Sequence, residues 1–182
     1  MAIIALGGRD IAESQLTDLL WPDSEGDAAY RSLITTLKRL RELLTLPHAI
    51  ELKGGRVSLD PKQVWVDEWC FERDVGHGRT LLNGSAERVL SLYQGPFLNG
   101  VTEAWAIRRR EKLAARFRQH VLQHGRHLEQ TDSTDEAITW YLRALEAEDG
   151  DPAIHEGLIG CYKRQGREGE ALAAVERLRR SR

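Results

Sequence analysis

The sequence predicts a mainly α-helical protein in which a small unit of helices and a β-hairpin precedes a longer series of helices. Leucines recur at helical spacing across residues 33–44, which is typical of a helix with one buried side. Apolar and polar residues alternate before Gly54-Gly55 and again after it, which indicates a β-hairpin with its turn at the two glycines. Ala137 and Ala171 occupy equivalent places in two similar segments, 34 residues apart, which indicates repeated helical hairpins.

The composition is that of a soluble globular chain with no overall basic character. Of the 182 residues, 41% are hydrophobic, and the formal net charge is −2, so any nucleic-acid-binding surface has to be local. No apolar run approaches the roughly 20 residues that span a bilayer. The two cysteines, Cys70 and Cys161, lack the spacing of a zinc site or a redox pair. We therefore expect a cytoplasmic protein without a membrane partner, a metal or a cofactor.

Charge is unevenly distributed along the chain. Residues 31–58 contain six basic and two acidic side chains, and residues 104–126 contain seven basic and one acidic. Residues 129–151 reverse the balance, with eight acidic and one basic. The second and third segments are expected to neutralise each other across packed helices rather than to form a second nucleic-acid surface.

The first residues predict two short helices. "MAIIAL" ends at Gly7-Gly8, and "IAESQLTDLLW" follows with leucines at helical spacing until Pro22 stops the turn.

The next segment, "DAAYRSLITTLKRLRELL" at residues 27–44, predicts an amphipathic helix with Ser24 and Asp27 as candidate N-caps. One side carries an apolar stripe that we expect in the core, formed by Leu33, Leu37, Leu40 and Leu44. The opposite side is hydroxyl-rich and charged, with Arg31, Thr35, Lys38 and Glu42 at its centre and Arg39 and Arg41 on its flanks.

A β-hairpin with a positive tip is predicted after this helix. In "AIELKGGRVSLDP", apolar and polar residues alternate on both sides of the two glycines, and Lys53 and Arg56 flank the turn. Three short helices followed by a basic-tipped hairpin is the order of a winged helix-turn-helix domain. In that arrangement one helix lies in the major groove and the hairpin, or wing, reaches phosphates or the adjacent minor groove.

The residues of this segment also resemble a known family. "LTDLLWPD…AAYRSLITTLKRLRELL…GGRVSLDPKQVWVDEWCFE" is similar to the winged-helix DNA-binding domain of the OmpR/PhoB type, whose recognition helix reads "R-R-L-R" where this chain has Lys38-Arg39-Leu40-Arg41. The resemblance implies a DNA-facing set of Thr35, Thr36, Lys38, Arg39 and Arg41, with Arg56 on the wing. Arg31 and Lys53 add positive charge to the same two elements.

The chain departs from that family pattern in two ways. The family has a small antiparallel sheet before its first helix, whereas this chain begins inside or just before that helix, so we expect the N-terminal sheet to be missing and the chain to be a fragment. Arg56 also takes the place of the aromatic residue that commonly follows the wing glycines.

The second part of the chain resembles a second family. "LYQGPFL…EAWAIRRREKLAARF" is similar to the opening of the bacterial transcriptional activator domain that bacterial regulators fuse to such winged helices. We therefore expect a winged-helix domain over residues 1–67 and an activator domain over residues 68–182. The resemblance implies a protein partner for the activator domain: another copy of the regulator, RNA polymerase or a sensor domain.

Repeats support a tetratricopeptide-like architecture for this domain. "DEAITWYLRAL" and "GEALAAVERL" place small and apolar residues at the same offsets, where paired helices approach closely. The pattern predicts helices over 103–130, 134–148, 152–165 and 167–180, with an earlier helix near 86–92 to complete the stack.

An enzymatic or metal-dependent function has little support. His120, His124 and His127 share one side of a helix and form the only metal-ligand alternative, but no glutamate follows the first histidine as in a metalloprotease helix. No glycine pattern of a phosphate-binding loop occurs, and no nucleophile lies in a recognisable elbow. We expect a DNA-binding transcription regulator, not an enzyme. The alternative is a protein-interaction or oligomerisation module whose winged unit does not bind DNA.

Overall fold

The computed structural model describes residues 2–5, 10–76 and 84–181. The chain forms two compact units. Unit 1 consists of Met1–Val66 together with Ala104–Ala106, and unit 2 consists of Asp67–Glu103 together with Ile107–Arg182. Within the described ranges, no helix is both long and apolar enough to cross a lipid bilayer. The mainly helical character that the sequence predicts is confirmed.

The helices of unit 1 are α1, α2 and α3, at Ala2–Ala5, Glu13–Leu20 and Gly26–Leu44. Neither predicted N-cap of α3 is correct, since Glu25 occupies that position and makes no side-chain cap hydrogen bond. Asp27 lies inside the first turn instead. Its negative charge there stabilises the helix by interacting with the positive end of the helix dipole. At the other end, Thr45 adopts the left-handed conformation (φ 55°) and ends the helix.

A three-stranded antiparallel sheet completes unit 1. Its strands β1, β2 and β3 are Asp10–Ala12, Ile50–Lys53 and Arg56–Leu59, in the order β1-β3-β2. The predicted hairpin is present as β2 and β3. Gly54 and Gly55 form its turn, with φ angles of 57° and 71°. Positive φ at both central residues is what a two-residue type I′ hairpin turn requires. Strand β1 was not predicted, because three residues are too few to display an alternation.

The core of unit 1 contains only half of the leucine stripe of α3. Leu33 and Leu37 are 2% and 3% exposed, whereas Leu40 and Leu44 are 38% and 43% exposed. The expectation that all four lie in the core is therefore wrong. Helical spacing determines the side of the helix on which a residue lies, but not how far the neighbouring elements extend along it. The buried cluster consists of Ile11, Leu16, Leu33, Leu37, Ala49, Ile50 and Val57.

Unit 2 is built from helices. Their bounds are Asp67–Gly76 (α4), Ser85–Leu92 (α5), Ala104–Gln130 (α6, whose first three residues belong to unit 1), Thr134–Ala147 (α7), Pro152–Arg164 (α8) and Glu168–Arg180 (α9). The five predicted helices agree with α5 to α9 to within one residue at each end. Asp151 caps α8, because its Oδ1 accepts hydrogen bonds from the backbone N–H groups of Ala153 and Ile154 at 3.0 and 3.2 Å.

The α6, α7 and α8 helices meet around a tyrosine. Tyr141 of α7 is 1% exposed, and its hydroxyl donates to Glu129 Oε1 at 2.8 Å. Its ring faces Gly157 of α8, where an added Cβ would lie 2.7 Å from the ring Cζ, and Gly125 of α6, where it would lie closer still. These two glycines are needed because any side chain would occupy the space of the ring.

Candidate nucleic-acid interface

The solvent side of α3 carries most of the predicted DNA-binding residues. Arg31, Lys38 and Arg39 are exposed, on the side opposite the buried Leu33 and Leu37. Within the described ranges, the side chains of Arg31 and Arg39 have no hydrogen-bond or ion-pair partner in the protein. Lys38 lies 4.0 Å from Glu42, and both side chains are largely exposed, so this contact holds the lysine weakly. Three cations along one helix side are therefore available to an external anion.

The hydroxyl groups of α3 contribute less. Thr35 is exposed, but its Oγ1 donates to the carbonyl of Arg31 at 2.9 Å, one turn back in the same helix. The hydroxyl retains lone pairs through which it can accept a further hydrogen bond. Thr36 is half-buried beside it.

Arg41 is turned towards the protein. Its side chain is half-buried, and its Nε donates to the carbonyl of Ile50 in β2 at 2.8 Å. This bond connects the last turn of α3 to the hairpin. Arg41 thus stabilises the position of α3 against the hairpin. It is not part of the exposed side that carries Arg31 and Arg39.

The wing carries less free positive charge than its sequence suggests. Lys53 is exposed at the end of β2, but Arg56 donates from Nε to Asp10 Oδ2 at 2.6 Å. Glu13 is also close, since its N–H donates to the carbonyl of Gly55 at 2.9 Å. Sequence reasoning missed Asp10 and Glu13 because they precede the hairpin by about forty residues. Only the pairing of β1 with β3 brings them to the wing.

The segments of unit 2 that resemble the activator-domain opening are structural. Arg110 donates from Nε to the carbonyl of Phe97 at 2.7 Å and from Nη2 to those of Leu98 and Val101, which holds the loop before α6 in place. Tyr93 stacks on Phe117 with the ring centroids 4.2 Å apart. Tyr93, Arg110 and Phe117, which belong to the segments that carry the resemblance, therefore stabilise this unit.

Ion pairs neutralise part of the charged segments of unit 2, mostly with partners other than those expected. Arg118 pairs with Asp151, which is the one described link between the basic segment at 104–126 and the acidic segment at 129–151. Two other arginines of α6 pair with α4 instead. Arg109 contacts Glu68 and Glu72, and Arg116 contacts Glu72. Exposed cations remain on this helix at Arg108, Lys112 and Arg126.

The histidine row of α6 packs against an aromatic side chain. His120 is 3% exposed, and the rings of His120 and His124 meet the indole of Trp140 edge-on at centroid distances of 6.0 and 4.4 Å. Burial, together with the nearby His124, lowers the pKa of His120 to about 4. Burial, together with His127, also lowers the pKa of His124. Across the described ranges, no group of three or more potential ligands is arranged to hold a metal ion.

The buried His120 predicts a loss of stability in mild acid. Its pKa is lower in the folded protein than the ordinary value of 6.5, so its contribution to stability is complete above pH 6.5 and falls as the pH drops towards 4. The expected loss from this residue is about 3 kcal/mol over that interval. The free energy of unfolding, measured with urea between pH 7.5 and 4.5, tests this expectation. Wild type is compared with His120→Leu, and His127→Leu serves as the control at an exposed histidine. Equal pH slopes for wild type and His120→Leu would contradict this expectation.

A family model described as the bacterial transcriptional activator domain matches residues 66–181, which is more than half of the chain. No curated protein matches the chain in sequence.

Proposed function

Since the chain belongs to the bacterial transcriptional activator domain family, we propose that it is a transcription regulator that binds promoter DNA through unit 1 and a protein through unit 2. The observation that carries the DNA-binding part is the solvent side of α3, where Arg31, Lys38 and Arg39 are exposed in the same unit as a β-hairpin with Lys53 near its tip. Such an exposed basic helix beside a hairpin is the arrangement that winged-helix proteins use on DNA.

In this proposal, α3 lies in the major groove. A helix of 19 residues is about 28 Å long at 1.5 Å per residue, and the groove is about 12 Å wide and accepts one α-helix. Arg31, Lys38 and Arg39 contact phosphates, and Thr35 reaches a base edge with Thr36 beside it. The side chain of Arg41 holds α3 against the hairpin through its hydrogen bond to the carbonyl of Ile50. Lys53 contributes a phosphate contact from the wing.

The protein partner is assigned to unit 2 because repeated helical hairpins present extended surfaces that bind other proteins. Another copy of this chain, RNA polymerase and a sensor domain are the three partner classes that we propose.

Salt dependence tests the DNA-binding proposal. Four phosphate contacts, from Arg31, Lys38, Arg39 and Lys53, predict that log K falls with log salt with a slope of about −3.6. Fluorescence anisotropy with a pool of 30-base-pair duplexes, between 50 and 300 mM salt, measures this slope. A lack of binding at the lowest salt would reject DNA binding by this chain.

The alternative function is a protein-interaction or oligomerisation module that does not bind DNA. One observation favours it: Arg41 and Arg56, two of the predicted DNA-binding residues, are bound within the protein to Ile50 and Asp10. Light scattering at several protein concentrations distinguishes the two functions when it is combined with the salt series. Self-association without any duplex binding supports the alternative.

A further inference from the structure

The wing arginine is held by the neighbouring strand. Arg56 begins β3, directly after the turn, and its Cα pairs with Ala12 of β1. Its guanidinium group makes two contacts with Asp10 on the same strand. Nε donates to the carboxylate Oδ2 at 2.6 Å, and Nη2 donates to the backbone carbonyl at 3.0 Å. These contacts direct the side chain along β1.

This pair is accessible to solvent. The side chains of Arg56 and Asp10 are 51% and 54% exposed, so water and salt screen their attraction. A pair of this kind holds its arginine in one orientation but is weak enough to be altered by a single substitution. It also leaves the buried cluster of unit 1 untouched, since neither residue belongs to it.

Carboxylates lie close to the turn of the wing. The carboxylate of Asp10 accepts from Arg56 Nε at 2.6 Å. An added Cβ on Gly55 would lie 3.7 Å from Glu13 Oε1, which places this second carboxylate beside the turn. A phosphate that approaches Arg56 therefore meets the carboxylate of Asp10 beside it, with that of Glu13 next to the turn.

We propose that Asp10 withholds Arg56 from DNA and so sets the strength of the wing contact. This inference rests on the proposed function, because it concerns the same DNA-binding surface. In the wild type, Lys53 supplies the wing's phosphate contact and Arg56 remains on Asp10. When the carboxylate is removed, Arg56 is released and adds one phosphate contact.

A double-mutant cycle tests the proposal with the same 30-base-pair duplex pool. Asp10→Asn is expected to raise affinity about fivefold at 0.1 M salt and to steepen the salt slope by about 0.9, the value for one added phosphate contact. Arg56→Gln in the wild-type background is expected to change affinity by less than about twofold. The double variant, Asp10→Asn with Arg56→Gln, is expected to lose the gain.

Glu51→Gln is the matched control, since Glu51 is an exposed carboxylate of the same hairpin and its loss changes the net charge equally. An equal gain from Glu51→Gln, or a gain that persists in the double variant, means that net charge alone is responsible and overturns the proposal. A tenfold loss from Arg56→Gln alone also overturns it, because Arg56 would then already contact DNA. Binding by wild type without a gain in Asp10→Asn rejects this inference alone, whereas no binding by any variant rejects the proposed function as well.

Discussion

Replacing Gly125 with alanine is expected to destabilise unit 2 by about 3 kcal/mol. The new methyl group would overlap the ring of Tyr141, which is fully buried and also lies against Gly157 of α8. The ring cannot move away without disturbing α8 or breaking its hydrogen bond to Glu129. Urea unfolding followed by circular dichroism measures the loss as a shift of the transition midpoint.

Two further variants make this expectation specific. Gly169→Ala is the control, because Gly169 lies in α9 with no atom within 4 Å of an added Cβ, and the same change there is expected to be neutral or to stabilise by up to about 1 kcal/mol. In a Tyr141→Ala background, Gly125→Ala is expected to lower the free energy of unfolding much less, because the clashing ring is absent. An equal cost in both backgrounds would show that the loss does not come from the contact with Tyr141.

The exposed cations of α3 are expected to provide most of the affinity for DNA. The triple variant Arg31→Gln/Lys38→Gln/Arg39→Gln removes three phosphate contacts. We expect it to bind the duplex pool about two orders of magnitude more weakly at 0.1 M salt, with a slope shallower by about 2.7. Unfolding is expected to change little, since all three side chains are exposed and the helix core is retained.

A second triple variant separates local contacts from net charge. Arg108→Gln/Lys112→Gln/Arg126→Gln removes the same charge from the exposed surface of α6 in unit 2. If DNA binds through α3, this control is expected to lower affinity by less than about threefold. Equal losses in the two triple variants would mean that the protein attracts DNA only through its overall charge, or that α6 forms a second basic surface.

Much of the local structure was predictable because it depends on neighbours in sequence. The helix containing Leu33 and Leu37 follows from residues three and four apart, and the hairpin follows from Gly54-Gly55 between two alternating runs. The end of the stripe was mispredicted at Leu40 and Leu44, which are exposed. Their burial depends on which elements lie beside them, and local spacing contains no information about that.

The same distinction applies to the candidate interface. The sequence by itself determined which residue types share the solvent side of α3, because helical geometry arranges Arg31, Lys38 and Arg39 regardless of the rest of the chain. Only the tertiary structure decided which cations are free. Arg41 is bound by the carbonyl of Ile50, and Arg56 by Asp10, 46 residues earlier in the chain. The physical reason is that charge and hydrogen-bonding interactions depend on distance in space, and strand pairing brings together residues that are far apart in sequence.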